Sequence, residues 1–273
     1  MNCITTGDGQ SIAYDLQGPG DAPVVVLSHS LGTDSRLWDM QAIELASRFR
    51  VLRYDARGHG KSSVPAGEYT LERMSHDVLD IMDWFRLDQV AFCGISLGGM
   101  VGQWLLHHFP HKLSALALCN TSSYMGPPET WNQRSEIVRT RGTSAIADAV
   151  MARWFTEAFL KASPGAVQIA RQMLLSTPSE GYVGSCAAIR DMDMRKFRKK
   201  GGVRTLIVAG EHDLATPPED SRALLSRISG ARLVMLPGAH LCNLEVADAF
   251  TSAVSHFLAD GVVNTRGSTL HAF

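Results

Sequence analysis

Three residues of this chain stand where a nucleophile, a base and an orienting acid would be needed: Ser96, His240 and Asp213. Ser96 is the centre of Gly94-Ile95-Ser96-Leu97-Gly98, between a strand-like run (Gln89-Val90-Ala91-Phe92-Cys93) and a helix-like run from about Met100 to His108. Glycines two before and two after a serine allow a sharp, crowded turn from strand to helix. Such a turn lifts the hydroxyl out of the sheet, over the positive end of the new helix. A serine placed there is built to attack a carbonyl carbon. An ordinary Gly-rich turn that happens to hold a serine is the plain alternative, and the short pattern alone does not separate the two.

The partners do separate them. A serine hydroxyl is a poor nucleophile at neutral pH and needs a base within hydrogen-bond reach, itself oriented by an acid. In a doubly wound sheet these arrive on later strand-end loops, in chain order Ser, acid, His. Asp213 follows the apolar run Leu206-Ile207-Val208-Ala209 through Gly210-Glu211-His212, and Pro217-Pro218 then opens a helix. Glu211 is its rival by position, and capping of the next helix is its structural alternative. A second place for the acid is the loop after the sixth strand. That position is Asn120, which carries no charge to stabilise an imidazolium. His240 follows the run Leu233-Val234-Met235-Leu236 through Pro237-Gly238-Ala239. Of ten histidines it alone occupies a loop after the last strand; His107, His108 and His111 read as surface, His76 and His256 lie on amphipathic helices, His212 adjoins the acid, and His271 is in the tail.

Attack on a carbonyl also requires donors for the oxyanion. The backbone N–H of Leu97 is one candidate and that of Leu31, in Ser28-His29-Ser30-Leu31-Gly32, is the other. Losing such a donor costs roughly 3–4 kcal/mol of transition-state stabilisation. His29 reads as a brace for that loop. The segment Asp55-Ala56-Arg57-Gly58-His59-Gly60-Lys61-Ser62 is Gly-rich but has neither phosphate-loop nor dinucleotide spacing, so it reads as a tight structural loop beside the oxyanion segment.

The elements that must position these groups follow from periodicity. Short apolar runs at Pro23–Leu27, Arg50–Tyr54, Val90–Cys93, Ala115–Cys119, Arg204–Ala209 and Arg232–Leu236 alternate with amphipathic stretches near 38–48, 70–86, 98–109, 218–229 and 245–259. That alternation implies a mostly parallel sheet with helices on both faces. Gln10 to Leu16 alternates and precedes Gly18-Pro19-Gly20, which suggests an antiparallel edge hairpin. The pattern stops near 121 and resumes near 203. The interval reads as three or four helices, punctuated at Pro127-Pro128, Gly142, Pro164-Gly165 and Pro178-Ser179, forming a cap over the strand C-termini. The core is therefore expected at 1–120 and 203–263, the cap at 121–202, and a frayed tail at 264–273. The basic run Arg195 to Lys200 reads as a solvated linker.

Composition excludes several classes. The 273 residues are 45% hydrophobic and 19% charged, enough to bury a large core. With 26 basic against 27 acidic residues, nothing argues for nucleic acid or an anionic membrane as partner. No apolar run approaches the roughly 20 residues of a membrane span, and the N-terminus has no signal-peptide pattern. Five scattered cysteines (Cys3, Cys93, Cys119, Cys186, Cys242) without a C-x-x-C spacing suggest reduced thiols and a cytoplasmic location.

Together these segments resemble the α/β-hydrolase family, over nearly the whole chain: His29-Ser30-Leu31-Gly32, the Asp55–Ser62 loop, the serine elbow, Gly210-Glu211-His212-Asp213 and Gly238-Ala239-His240. Within it the chain is similar to the enol-lactone hydrolases of the β-ketoadipate pathway of aromatic catabolism. Ser28-His29-Ser30-Leu31-Gly32-Thr33-Asp34, Arg50 to Asp55, Leu118-Cys119-Asn120-Thr121, Arg153-Trp154-Phe155-Thr156, Gly181-Tyr182 and Cys186 to Asp191 carry that likeness. Ser30 departs from it, since many family members have glycine there. The resemblance implies an eight-stranded α/β-hydrolase fold with a helical cap after strand 6, no cofactor and no metal, and a small carboxylated lactone as substrate. A homo-oligomer is compatible with it. The substrate carboxylate then needs a cation in the cap. Arg134, three residues after Trp131 and so on the same helix face, is the first candidate and Arg190 the second, with Trp154 as a pocket wall. Another small-ester, carbon–carbon or perhydrolysis reaction of the same fold is the alternative, and a slow-turnover ligand receptor is the alternative of another class.

Overall fold

The apolar runs become the strands of one sheet. The computed structural model describes residues 2–199 and 201–266. Its strands are β1 (Asn2–Thr5), β2 (Ser11–Gln17), β3 (Val24–Ser28), β4 (Arg50–Tyr54), β5 (Val90–Ile95), β6 (Leu113–Cys119), β7 (Arg204–Gly210) and β8 (Arg232–Leu236), in spatial order β1-β2-β4-β3-β5-β6-β7-β8. From β4 to β8 every pairing is parallel, while β1–β2 and β2–β4 are antiparallel. The edge hairpin closes at Thr6–Gln10, where Gly9 has φ +80°, not at Gly18–Gly20. The chain leaving β2 must instead pass β4 to reach β3, and Gly18 takes φ +93° against the Phe49 carbonyl.

Parallel strands covered on both faces are nearly all apolar. Val25, Val26, Leu27, Phe92, Ile95, Leu116, Leu118, Ile207 and Val208 are buried accordingly. The helices that alternate with these strands are α1 (Asp39–Leu45), α2 (Leu71–Trp84) and α3 (Leu97–His108) before β6, and α9 (Pro218–Arg227), α10 (Cys242–Glu245) and α11 (Ala247–Arg266) after β7. α2 starts where the Thr70 side chain accepts from the Arg73 amide, a standard N-cap. α3 lies close on the sheet at Gly102, where an added Cβ would meet the side chains of Phe92, Leu116 and Leu118 at 3.1 Å, tighter than ordinary van der Waals contact.

Between β6 and β7 lie α4 (Pro128–Arg141), α5 (Ala147–Trp154), α6 (Glu157–Ala162), α7 (Pro164–Ser176) and α8 (Ser179–Arg190). That is five α-helices where the sequence suggests three or four. The break without Gly or Pro falls at Phe155, which is extended, and Thr156, whose hydroxyl caps α6 by accepting from the Phe159 amide. In the basic run, Arg195 is paired with Asp193 and its guanidinium lies 3.8 Å over the Tyr124 ring. α11 continues through Arg266. Of the tail expected from 264, residues 267–273, with His271, lie outside the described residues, as does Lys200. Among the described residues no helix is long and apolar enough to cross a membrane.

Register sets the site. Gly94 pairs with Leu118, Ile95 with Cys119, Cys119 with Val208, and Gly210 with Leu236. The chain therefore leaves β5, β6, β7 and β8 along one edge, and Ser96, Asn120, Asp213 and His240 emerge side by side.

Candidate active site

Ser96 occupies the turn between β5 and α3 at φ 55°, ψ −115°, a backbone conformation that non-glycine residues rarely adopt. Its flanking glycines are required by space. A Cβ on Gly94 would lie 2.2 Å from the Gly98 carbonyl oxygen, and one on Gly98 would lie 2.2 Å from that of Ser28. The elbow is held by the Ser96 amide, which donates to the Cys119 carbonyl at 2.9 Å.

His240 Nε2 is 2.9 Å from Ser96 Oγ, and His240 Nδ1 is 2.9 and 3.1 Å from the two Asp213 oxygens. All three side chains are buried. Burial by itself would raise the Asp213 carboxyl. The His240 ring, the Thr216 amide and Asn120 outweigh it and hold the group down at about 2. Asp213 Oδ1 accepts from the amides of Ala215 (2.8 Å) and Thr216 (2.9 Å), and Oδ2 accepts from Thr216 Oγ1 (2.8 Å) and Asn120 Nδ2 (3.0 Å). An ionised carboxylate only accepts, so the ring proton sits on Nδ1 and Nε2 is left to accept from the serine hydroxyl. Glu211 is exposed and stands outside this chain of bonds.

The loop after β3 is braced by two imidazoles. His29 Nε2 accepts from the Ala56 amide (2.9 Å) and His59 Nε2 accepts from the Gly32 amide (3.0 Å). Burial drives the His59 ring down to about 3, so it is neutral and free to accept. Asp55 takes the amides of Ser35 and Lys61, each at 2.8 Å, and closes the Asp55–Ser62 loop against this segment. The amides next to the two oxyanion candidates are engaged, Gly32 with His59 and Gly98 with the His29 carbonyl at 3.1 Å. Leu31 lines the cavity beside Ser96, and Leu97 is the first residue of α3, where backbone amides have no acceptor within the helix.

Ser96 and His240 open into a cavity of about 420 Å³ between the strand ends and the helices after β6. Trp131, Arg134 and Trp154 line it, as does Arg153, which the sequence does not single out as a cation. The Arg134 guanidinium lies 5.4 Å from the Trp131 ring centre. Arg153 is exposed and donates to the Leu214 carbonyl at 2.9 Å; partial desolvation of its guanidinium, together with the charge of Arg134, lowers it from its ordinary value. Among the described residues neither arginine has a carboxylate within ion-pair distance. Arg190 is elsewhere. At the end of α8 it forks onto Glu68 at 2.8 Å and Asp191 at 2.7 Å, and it is absent from the cavity wall. Glu68, before α2, and the adjacent Asp191 at the end of α8 capture it, which corrects the expectation that it faces the substrate.

The chain matches the α/β-hydrolase fold family over residues 23–246, and it belongs to that family. More particularly, it is similar to 3-oxoadipate enol-lactonase 2 of Acinetobacter baylyi, 34% identical over 249 residues, 91% of this chain and 93% of the relative. Among solved structures it resembles the enol-lactonase of Burkholderia xenovorans (41% identity, TM-score 0.92, 94% of this chain and 100% of the other). It also resembles a hydrolase of Pseudomonas aeruginosa (43% identity, TM-score 0.91, 94% and 97%).

Proposed function

We propose that the protein hydrolyses 3-oxoadipate enol-lactone, or a closely similar small carboxylated lactone, to the open-chain keto acid. Ser96 Oγ attacks the ring carbonyl carbon while His240 Nε2 takes its proton, and Asp213 stabilises the imidazolium. The amides of Leu31 and Leu97 receive the oxyanion. Collapse breaks the carbonyl-carbon-to-ring-oxygen bond; the leaving enolate oxygen takes the proton from His240 to give the enol, which tautomerises to the ketone. Water, deprotonated by the same base, then attacks the acyl-enzyme, and its breakdown releases the second carboxylate and restores Ser96 with its proton. Proton transfer of this kind contributes roughly 10²–10⁴-fold.

The observation that carries the choice of substrate is the pair of guanidinium groups, Arg134 and Arg153, facing the Ser96 cavity without a carboxylate partner. Arg134 is half-buried, and a half-buried cation without a counter-ion is unfavourable until an anion enters. The exposed Arg153 adds a second positive charge on the same cavity wall, so a ligand carrying its own carboxylate fits better than a neutral ester. Kinship to enol-lactonases supports the same reading. A panel of lactones and esters tests it. The carboxylated enol-lactone should be the best substrate, and Arg134→Ala should raise its KM far more than that of a neutral lactone. Equal activity on neutral esters, or equal effects of Arg134→Ala on both classes, would sink the assignment.

A further inference from the structure

Asn120 occupies a position whose chemistry no stability requirement explains. It is completely buried at the end of β6 and has φ +43°. Its Oδ1 is buried with no hydrogen-bond partner, a loss that an apolar side chain or glycine would avoid. The left-handed backbone alone would be met more simply by glycine. What only a side-chain amide supplies is Nδ2, which donates to Asp213 Oδ2 at 3.0 Å and to the Ala239 carbonyl, one residue before His240, at 3.1 Å. The Asn120 backbone amide meanwhile donates to the Val208 carbonyl at 2.8 Å and continues the β6–β7 ladder. Its neighbours grip the nucleophile. The Cys119 carbonyl accepts from the Ser96 amide, and Thr121 Oγ1 donates to the Ser96 carbonyl at 2.8 Å.

Resting on the serine, histidine and aspartate roles proposed above, we propose that Cys119-Asn120-Thr121 is the bracket that aligns all three groups, and that Asn120 is its positioning residue for the acid and base loops. Thr121 and Cys119 fix both backbone polar groups of Ser96, while Asn120 ties the Asp213 carboxylate to the loop carrying His240. The bracket spans three strand ends that the sheet alone sets only to within side-chain reach. An uncharged donor suits this place. A lysine or arginine would neutralise the carboxylate that His240 needs, and an aspartate would set a second carboxylate beside Asp213. The other titratable groups facing Asp213 are His240, Cys242 on α10, Asp220 on α9 and Arg153 on α5. None of these donates to it in the way Asn120 does, His240 apart.

The test uses the full-length enzyme with p-nitrophenyl acetate as probe, so that it does not depend on the natural lactone. Asn120→Gly keeps the left-handed backbone and removes the amide; Asn120→Asp keeps the shape and replaces the donor. Each should lower kcat/KM about 10- to 100-fold, the worth of one hydrogen bond to a charged group. In each the acid limb of the pH profile should move to higher pH, because the carboxylate that faces the imidazolium has lost a donor or gained a negative neighbour. A merely structural role predicts the same loss at every pH. Activity within twofold of the parent, or a loss without displacement of the acid limb, overturns the proposal. If Asn120→Gly does not fold, the isosteric Asn120→Asp decides alone. A serine-directed organophosphonate separates the two layers. Failure to label Ser96 in the parent would overturn the nucleophile assignment itself, whereas labelling of parent and variants at one rate would overturn only the role of Asn120.

Discussion

Ser96 illustrates how one residue combines strain and reactivity. Its φ of 55° persists because Gly94 and Gly98 leave room on either side and because its amide is bonded to Cys119. Ser96→Ala keeps that backbone and removes only the hydroxyl. Hydrolysis should fall at least about 10⁴-fold, as when a triad member is deleted, with a melting temperature within a few degrees of the parent. Retained hydrolysis would refute the nucleophile. Asp213 makes a stability prediction. Its carboxyl is lowered from an ordinary 3.8 to about 2 in the folded chain. A lowered folded value means that the added stability is fully present above the ordinary value and is lost as pH falls through the folded one. Asp213 should therefore contribute ~2 kcal/mol near neutrality, fading between about pH 4 and pH 2. Denaturant unfolding of the parent and Asp213→Asn should show their stability gap narrowing over that window. A constant gap would show that the carboxylate is not held down by folding.

At the scale of elements, the helices after β6 are seated on the core through backbone contact. A Cβ on Gly181, in the first turn of α8, would lie 2.0 Å from the Gly58 carbonyl oxygen, and one on Gly58 would lie 2.5 Å from the Gly181 Cα. The Tyr69 amide donates to the Gly184 carbonyl at 3.0 Å along the same seam. α8 also packs against α4, which carries Trp131 and Arg134 into the cavity. Gly181→Ala should lift α8 and tilt α4 with it. Overpacking of this kind costs roughly 1–3 kcal/mol, so thermal unfolding should occur at lower temperature and KM for the carboxylated lactone should rise more than kcat falls. An unchanged KM would show that the two helices move independently.

The whole molecule carries a formal net charge of −1 at pH 7. It therefore has no strong overall field with which to collect an anion, and any attraction arises at the cavity, from Arg134 and Arg153. Charges are screened within a Debye length of ~8 Å at physiological salt, so the effect is local and salt-sensitive. Raising salt from about 0.01 M to about 0.5 M should lower kcat/KM for the carboxylated lactone several-fold and leave a neutral ester unaffected. Arg134→Ala should flatten that dependence. A neutral ester with the same salt response would point to a change in the protein, not to the guanidinium pair.

The chain by itself determined whatever depends on local rules. Apolar runs of four to six residues and the spacing of glycines around Ser96 mark the strands and the elbow. Chain order and strand-end placement then single out Asp213 and His240, because a parallel sheet delivers its loops to one edge. Helix breaks without glycine or proline, such as Phe155-Thr156, escape this reading, since only the capping bond of Thr156 reveals them. Tertiary structure alone decided the partners of long, flexible or ambiguous side chains. Arg190 and Arg153 are both arginines near the ends of helices between β6 and β7, yet Glu68 captures one at the surface and the other faces the cavity. Asn120 looks like a failed acid until β7 and β8 bring Asp213 and Ala239 to its amide. Such pairings join residues about a hundred positions apart, and nothing in the local pattern encodes which of several equivalent charges will meet.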